Sequence, residues 1–430
     1  MISERINKLI YMLFLVMPTV ESLNGYFINL GISDAYRIII NLLIVYSVLI
    51  CQRKIYKSVL DAALLVSILM ILTLLQVLLL HGSLVVFKSD LNTIFRMMLF
   101  PIYVAYFKVA IKLNWIKKNS LINILDVYSF QYMFLVIVPN IFGLGLATYD
   151  STVTLINSTV SETSIGNKGY FLEVNSLIAI LIAMMIYSGE TAWKGNFYKS
   201  FSSYYGFMFL ISLGNICALL LVATKTGIVM AILYIFFFLI RLLIYANILK
   251  EIKFLILSFI IIVLLNSGKL LEEMFADVIK RGMYFFNLFQ GDWLRFLTSS
   301  RSEYLKQTFQ NVDKSGKGLI ITVIGGGYYL NFANLNEFYK RSVTEMDWFD
   351  FYFSYGVVGV IFYINYLKNG LLNYLFLNKY KQIKIIVTVF LVYSFFAGHI
   401  IFNAMTVTIL AMCYVCLDSE TYIKKGNLSE

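Results

Sequence analysis

About a dozen stretches of this chain are predominantly apolar, most of them over roughly the 20 residues that cross a bilayer as helix. They lie near residues 7–23, 36–51, 59–80, 90–107, 121–144, 170–188, 204–223, 226–246, 253–266, 349–367, 383–399 and 401–418. Short polar turns join them, with one exception of about eighty residues from Asn266 to Trp348. In hydrocarbon every backbone N–H and C=O must be satisfied within the protein, so continuous runs of this length fold as helices. A β-barrel would need alternating apolar and polar residues, which these runs lack. The expected fold is an all-α polytopic membrane protein of about twelve transmembrane helices. Helices 1–9 fill residues 1–265, a large loop fills 266–348, and helices 10–12 with a tail fill 349–430. The segment 253–266 is the shortest before Lys269, and the last two segments turn tightly around His399.

Composition agrees. Charged residues make up 14% of the chain and hydrophobic residues 60%, against about 25% charged in soluble domains. Met1 to Thr19 has no small-residue cleavage site and runs toward a second apolar segment, so the first helix is expected to stay. With the amino terminus inside, the cytoplasmic loops hold twenty Lys and Arg. The short outer loops and outer helix ends hold five, namely Arg37, Lys88, Arg96, Lys168 and Lys225. This bias puts both termini in the cytoplasm and the long loop outside. The net charge of +11 is then a topology signal and gives no reason to expect nucleic-acid binding.

Other signals are bland. Cys51, Cys217, Cys413 and Cys416 lie in or beside apolar helices, and Cys413-x-x-Cys416 reads as packing rather than redox chemistry. Only His81 and His399 are histidines, and no cluster has metal-ligand spacing, so neither metal nor cofactor is expected. Asn157-Ser158-Thr159 has the form of a glycosylation sequon and reads as a chance match. No internal repeat is visible, and the middle loop, Gly189 to Ser203, is short. Both features argue against a duplicated carrier.

Ionisable residues inside membrane segments are costly and usually line a cavity or a pathway. Arg96 falls a third of the way into its segment from the outside, and Lys225 sits in the outer turn Thr224-Lys225-Thr226-Gly227. Glu173 and Asn175 open the sixth segment, just after Gly166-Asn167-Lys168-Gly169. Asp126 lies nearer the inner side. For each of these, and for Arg37, the competing reading is a side chain reaching for the interface.

Four of these places form an ordered set. Gly169-Tyr170-Phe171-Leu172-Glu173-Val174-Asn175 resembles the G-x-F-x-x-x-N pattern that opens a mid-chain helix in the O-antigen ligase/polymerase superfamily. Thr224-Lys225-Thr226-Gly227 resembles its S/T-R/K-T-G turn, and Ser300-Arg301-Ser302-Glu303 the S-G/S-R of its large loop. Glu345-Met346-Asp347-Trp348 followed by Tyr355-Gly356-Val357-Val358-Gly359 resembles its E-x-D … Y-G-x-x-G. The resemblance spans about residues 160 to 400 and is nearest to the Wzy-type polysaccharide polymerases.

The resemblance implies a GT-C-like glycosyltransferase in a bacterial cytoplasmic membrane. It implies a donor and an acceptor that are oligosaccharides on undecaprenyl diphosphate, in contact with the lipid bilayer. It leaves a chain-length regulator as an open partner. The leaving diphosphate calls for fixed positive charge. The family's basic positions correspond to Lys225 and Arg301, with Arg96 and Lys168 as further cations and Glu173 and Asn175 as other substrate-binding residues. Where the family often has Arg this chain has Lys225, which offers a point charge and no bidentate fork.

An acceptor hydroxyl also needs a base. The ligases of the superfamily carry a His near the end of the loop; here Glu345 and Asp347 stand there, and His399 in Ala397-Gly398-His399-Ile400 is the third candidate. Ser342-Val343-Thr344-Glu345 also fits a capping box without catalysis, and His399 a hydrogen-bonded turn. Trp293, Tyr304, Tyr328, Tyr329, Phe332, Phe338, Tyr339 and Trp348 suit sugar faces, yet also suit the headgroup level. Gly325-Gly326-Gly327 reads as a flexible turn, since it lacks the G-K-[ST] of a nucleotide loop. Two other functions stay open: a ligase of the same fold, and a flippase for lipid-linked oligosaccharide.

Overall fold

The computed structural model describes residues 2–27, 31–50, 56–81, 84–149, 165–194, 203–245, 289–332, 344–376 and 381–418, with 258, 283, 286 and 287. The expected segment 253–266 and the first part of the long loop lie outside the described residues.

Among the described residues, seven helices are long and apolar enough to cross a membrane: Glu4–Tyr26, Lys57–Leu80, Leu84–Lys112, Lys118–Ile141, Val174–Lys194, Ser203–Val222 and Lys225–Ile244. Helices Ile32–Val45, Asp347–Phe376, Lys381–Phe396 and Ala404–Leu417 occupy four more of the expected segments. The fold is that of an all-α polytopic membrane protein. Its only described strands, Ala147–Tyr149 and Ile165–Asn167, pair antiparallel.

Three segments differ from the sequence expectation. The stretch 90–107 starts earlier and is two stacked helices, Leu84–Met97 and Leu99–Lys112. Pro101 explains the joint, because it has no N–H for the carbonyl four residues back and its ring crowds that position. The segment expected from Tyr170 begins at Val174, after a turn in which Gly169 has φ 61°. The last helix begins at Ala404, where the Asn403 side chain accepts from the Met405 N–H at 2.9 Å, so 401–403 belong to a loop.

The chain forms two compact units, residues 1–128 with 298–430, and residues 129–297. The centre of the first is Ala404–Leu417, whose every residue is buried. A helix apolar on all sides can only sit inside a bundle. Beside it Phe14, Tyr103, Tyr106 and Phe107 pack ring on ring. One buried polar group is satisfied twice: Asn7 Oδ1 accepts from Ser47 Oγ at 3.0 Å and from Tyr106 Oη at 3.1 Å. The centre of the second unit is Val174–Lys194, packed on Ser203–Val222. Glycines make room for side chains of neighbouring helices: a Cβ on Gly189 would strike the Tyr234 hydroxyl, and one on Gly214 the Met133 sulfur.

Candidate functional site

The first turn of helix Asp347–Phe376 is held from both sides. Asp350 Oδ1 accepts from the Thr344 N–H at 2.6 Å and from its hydroxyl at 2.8 Å. Thr344 Oγ1 accepts in turn from the Met346 N–H at 3.2 Å. Between them Glu345 takes a left-handed conformation, φ 56°. Ser342 and Val343 of the capping box considered over 342–345 lie outside the described residues, and Glu345 does not have the conformation the box needs. Glu345 would have to be helical at its third position, yet the helix starts two residues later.

Asp347 is buried, and three backbone amides fill its carboxylate. His399 N–H donates to Oδ1 at 2.7 Å; Ile400 and Ile401 N–H donate to Oδ2 at 2.8 and 2.7 Å. The side chain thereby fixes a turn fifty residues downstream in which His399 has φ 66°. Gly398 must be glycine for this approach, since a Cβ there would lie 2.9 Å from the Glu345 carbonyl carbon. Burial raises the Asp347 carboxyl to about 6, with the nearby Asp350 adding to the rise and the three amides opposing it.

These two turns form one wall of a cavity of about 240 Å3. Asp347, Asp350, His399 and Phe402 line that side, and Asp90, Thr93 and Arg96 the other. Asp90 is 6% exposed. Its Oδ1 accepts from the Tyr328 N–H at 2.8 Å, while its Oδ2 is buried with no hydrogen-bond partner among the described residues. Such an oxygen in a membrane segment is expensive unless something else engages it.

The floor is built by glycines. The helix Asp347–Phe376 breaks at Gly356, φ 64°. Gly326 N–H donates to Phe353 O at 2.8 Å, and Gln76 Nε2 donates to Ile324 O at 2.6 Å and Ser354 O at 2.7 Å. A Cβ on Gly325 would fall on the Ser354 carbonyl, and one on Gly356 on the Val323 carbonyl. Gly325-Gly326-Gly327 is thus a tightly docked backbone contact, a correction to the flexible turn expected from sequence. Gly327 then brings Tyr328 against Asp90.

Arg301 begins helix Arg301–Lys314 after two left-handed residues, Ser299 at φ 53° and Ser300 at φ 67°. Ser300 makes no side-chain cap; Thr298 Oγ1 accepts from the Ser302 N–H at 3.3 Å instead. Arg301 Nε stands 3.8 Å from Glu345 Oε2 in an ion pair. Four of the left-handed non-glycine residues, Ser299, Ser300, Glu345 and His399, therefore flank site residues, where strained backbone tends to collect.

The remaining sequence candidates lie in the second unit. Lys225 Nζ donates to Phe296 O at 3.0 Å and stands 4.1 Å from the centre of the Phe296 ring. The hydroxyl of Thr224, just before it, accepts from the Gly227 N–H at 3.2 Å. Lys168 Nζ donates to Leu172 O at 3.1 Å; burial lowers its ammonium and Glu173 opposes the shift. Gly166 and Gly169 press against the Val222 and Leu135 carbonyls, which explains the glycines of that motif. Glu173 is exposed and Asn175 stands in the first turn of Val174–Lys194.

The structure thus gathers Arg96, Asp347 and His399 on one cavity, with Arg301 and Glu345 paired beside the same turn. Asp90, Asp350 and Gln76 were missed. The signal for Asp90 was present: a carboxylate six residues before Arg96 at the start of an apolar run. Of the aromatics, Tyr328 lines the cavity, while Trp348 donates to Ser394 Oγ at 2.9 Å and stacks on Phe395. Phe338 and Tyr339 lie outside the described residues. Among the described residues no three His, Cys, Asp or Glu side chains gather to hold a metal ion. Compared with models of known families, with curated proteins and with solved structures, the chain matches none.

Proposed function

We propose that this chain is a Wzy-type polymerase, a membrane glycosyltransferase joining repeat units carried on undecaprenyl diphosphate. The observation that supports it is convergence. Arg96, Arg301, Glu345, Asp347 and His399 come from four distant stretches of sequence and meet at one end of the first unit. In this reading the chain crosses a bacterial cytoplasmic membrane twelve times with both termini inside. The loop 266–348 is then extracytoplasmic and the 240 Å3 cavity faces outward.

In the reaction the acceptor hydroxyl attacks the anomeric carbon of the donor. The C–O bond to the diphosphate breaks, and its electron pair leaves with the diphosphate. Arg301 and Arg96 stabilise that charge, and Arg301 can meet two phosphate oxygens at once. Glu345 positions Arg301 through their ion pair. Asp90, which lines the cavity, takes the hydroxyl proton; its buried Oδ2 has no hydrogen-bond partner among the described residues. Asp347 holds the His399 turn through its three amides. Lys225 and Lys168, each on a carbonyl within their own unit, receive no role.

The length distribution of undecaprenyl-linked glycans in a strain lacking the gene tests the reading. Single repeat units at the outer face are expected, and Arg301→Ala should reproduce them. Long unattached chains would make the protein a ligase, and single units trapped at the inner face a flippase.

A further inference from the structure

The first unit holds a second polar cavity, of about 290 Å3, lined by Lys57, Asp61, Lys108, Asn365, Lys368 and Tyr414 among others. It lies a membrane's thickness from the first. Lys57 opens the unbroken helix Lys57–Leu80, and Gln76, nineteen residues on, touches the Gly327 turn of the first cavity. That span is roughly 28 Å of helix, close to the hydrocarbon thickness.

Three lysines line the cavity with one carboxylate, Asp61, and a second carboxylate, Asp418, pairs with Lys108. The lysines come from three helices, so loop charge alone does not account for them. Lys108 sits within Leu99–Lys112, 15% exposed, and is fixed by Asp418 at 2.5 Å and by the Tyr414 ring at 5.4 Å. Lys57 and Lys368 are exposed. Tyr414 Oη donates to Tyr366 O at 3.1 Å, which pins the inner wall. Tyr56 caps the helix Lys57–Leu80 with no side-chain hydrogen bond, so the positive end of that helix also points here. Basic pockets between membrane helices suit phosphate headgroups at the cytoplasmic surface.

We propose that this cavity binds a phosphate-bearing anion, presented by an anionic phospholipid headgroup or as a soluble phosphate. Its sidedness rests on the twelve-span topology above; its chemistry does not. Lys57 and Lys368 meet the phosphate oxygens, and Lys108 with Tyr414 forms the rigid floor.

The test is thermal unfolding of the purified full chain in neutral detergent, with added phosphatidylglycerol, phosphatidylcholine or inorganic pyrophosphate. Phosphatidylglycerol is expected to raise the unfolding midpoint more than phosphatidylcholine. A rise with pyrophosphate as well would point to a soluble ligand, and its absence to a lipid. The double variant K57Q/K368Q should need about tenfold more of the anion, or beyond, for the same rise. Its midpoint without anion should stay at the wild-type value, and K57R/K368R should respond like the wild type. Should the double variant not fold, Lys368→Gln alone carries the comparison. Equal shifts with both lipids and none with pyrophosphate, or a Gln variant that responds as the wild type does, would overturn the proposal.

Discussion

At the scale of single residues, the two buried carboxylates of the cavity do different work. Asp347 has three amide donors and no spare oxygen, so it organises backbone. Asn in its place keeps one acceptor and turns an amino group toward N–H donors, at a cost of about 1–3 kcal/mol. Its pH dependence has a definite sign. The folded group titrates at about 6, above the roughly 3.9 of an unfolded Asp, so the folded state holds the extra proton between those values. The stability this provides is full below pH 4 and is lost as pH rises through 6. Thermal unfolding between pH 4 and 7 should show that fall in the wild type and a smaller one in Asp347→Asn; equal slopes would reject the assignment. Asp90 has one bonded oxygen and one buried oxygen without a partner among the described residues. Asp90→Asn can still accept from Tyr328 N–H, so the protein should accumulate normally while polymer synthesis falls by about two orders of magnitude or more. Normal chain lengths in that variant would remove Asp90 from the chemistry.

At the scale of elements, the floor of the site depends on two backbones touching. Gly325 and Gly356 both have positive φ, and each would put a Cβ onto the other segment's backbone. Gly356→Ala combines a left-handed conformation with a clash that no side-chain rotation relieves. It should cost about 1–3 kcal/mol and lower the unfolding midpoint, whereas the exposed neighbour Val357→Ala should change little. Because both glycines serve one contact, the double variant should cost less than the sum of the singles. Additive effects would mean that the two breaks act independently.

At the scale of the whole molecule, the proposed function requires sidedness. In a cysteine-free background, Lys314→Cys and Lys381→Cys place exposed thiols in the long loop and at the start of a late helix. An impermeant maleimide on intact cells should label the first and spare the second. The reverse pattern would put the 240 Å3 cavity in the cytoplasm and end the polymerase reading.

Most described helices were legible in the sequence, because hydrocarbon demands internal backbone hydrogen bonding and long apolar runs can meet it only as helix. That demand is local, so it survives without knowledge of neighbours. Helix ends were less legible: Pro101 and Asn403 mark two of them, but the turn before Val174 depends on Gly169 pressing against the Leu135 carbonyl. Arg96 could be picked out as an ionisable group inside a membrane segment, and Arg301, Glu345, Asp347 and His399 through the motifs that resemble the ligase/polymerase superfamily. Their division of labour could not. Whether a carboxylate keeps a buried oxygen without a partner among the described residues, like Asp90, or is filled by amides fifty residues away, like Asp347, is settled by non-local packing. Sequence alone determined a helical membrane chain and a set of costly charges. The tertiary structure decided which of those charges share a cavity and how the carboxylates within it are hydrogen-bonded, since burial and hydrogen bonding arise only when distant segments meet.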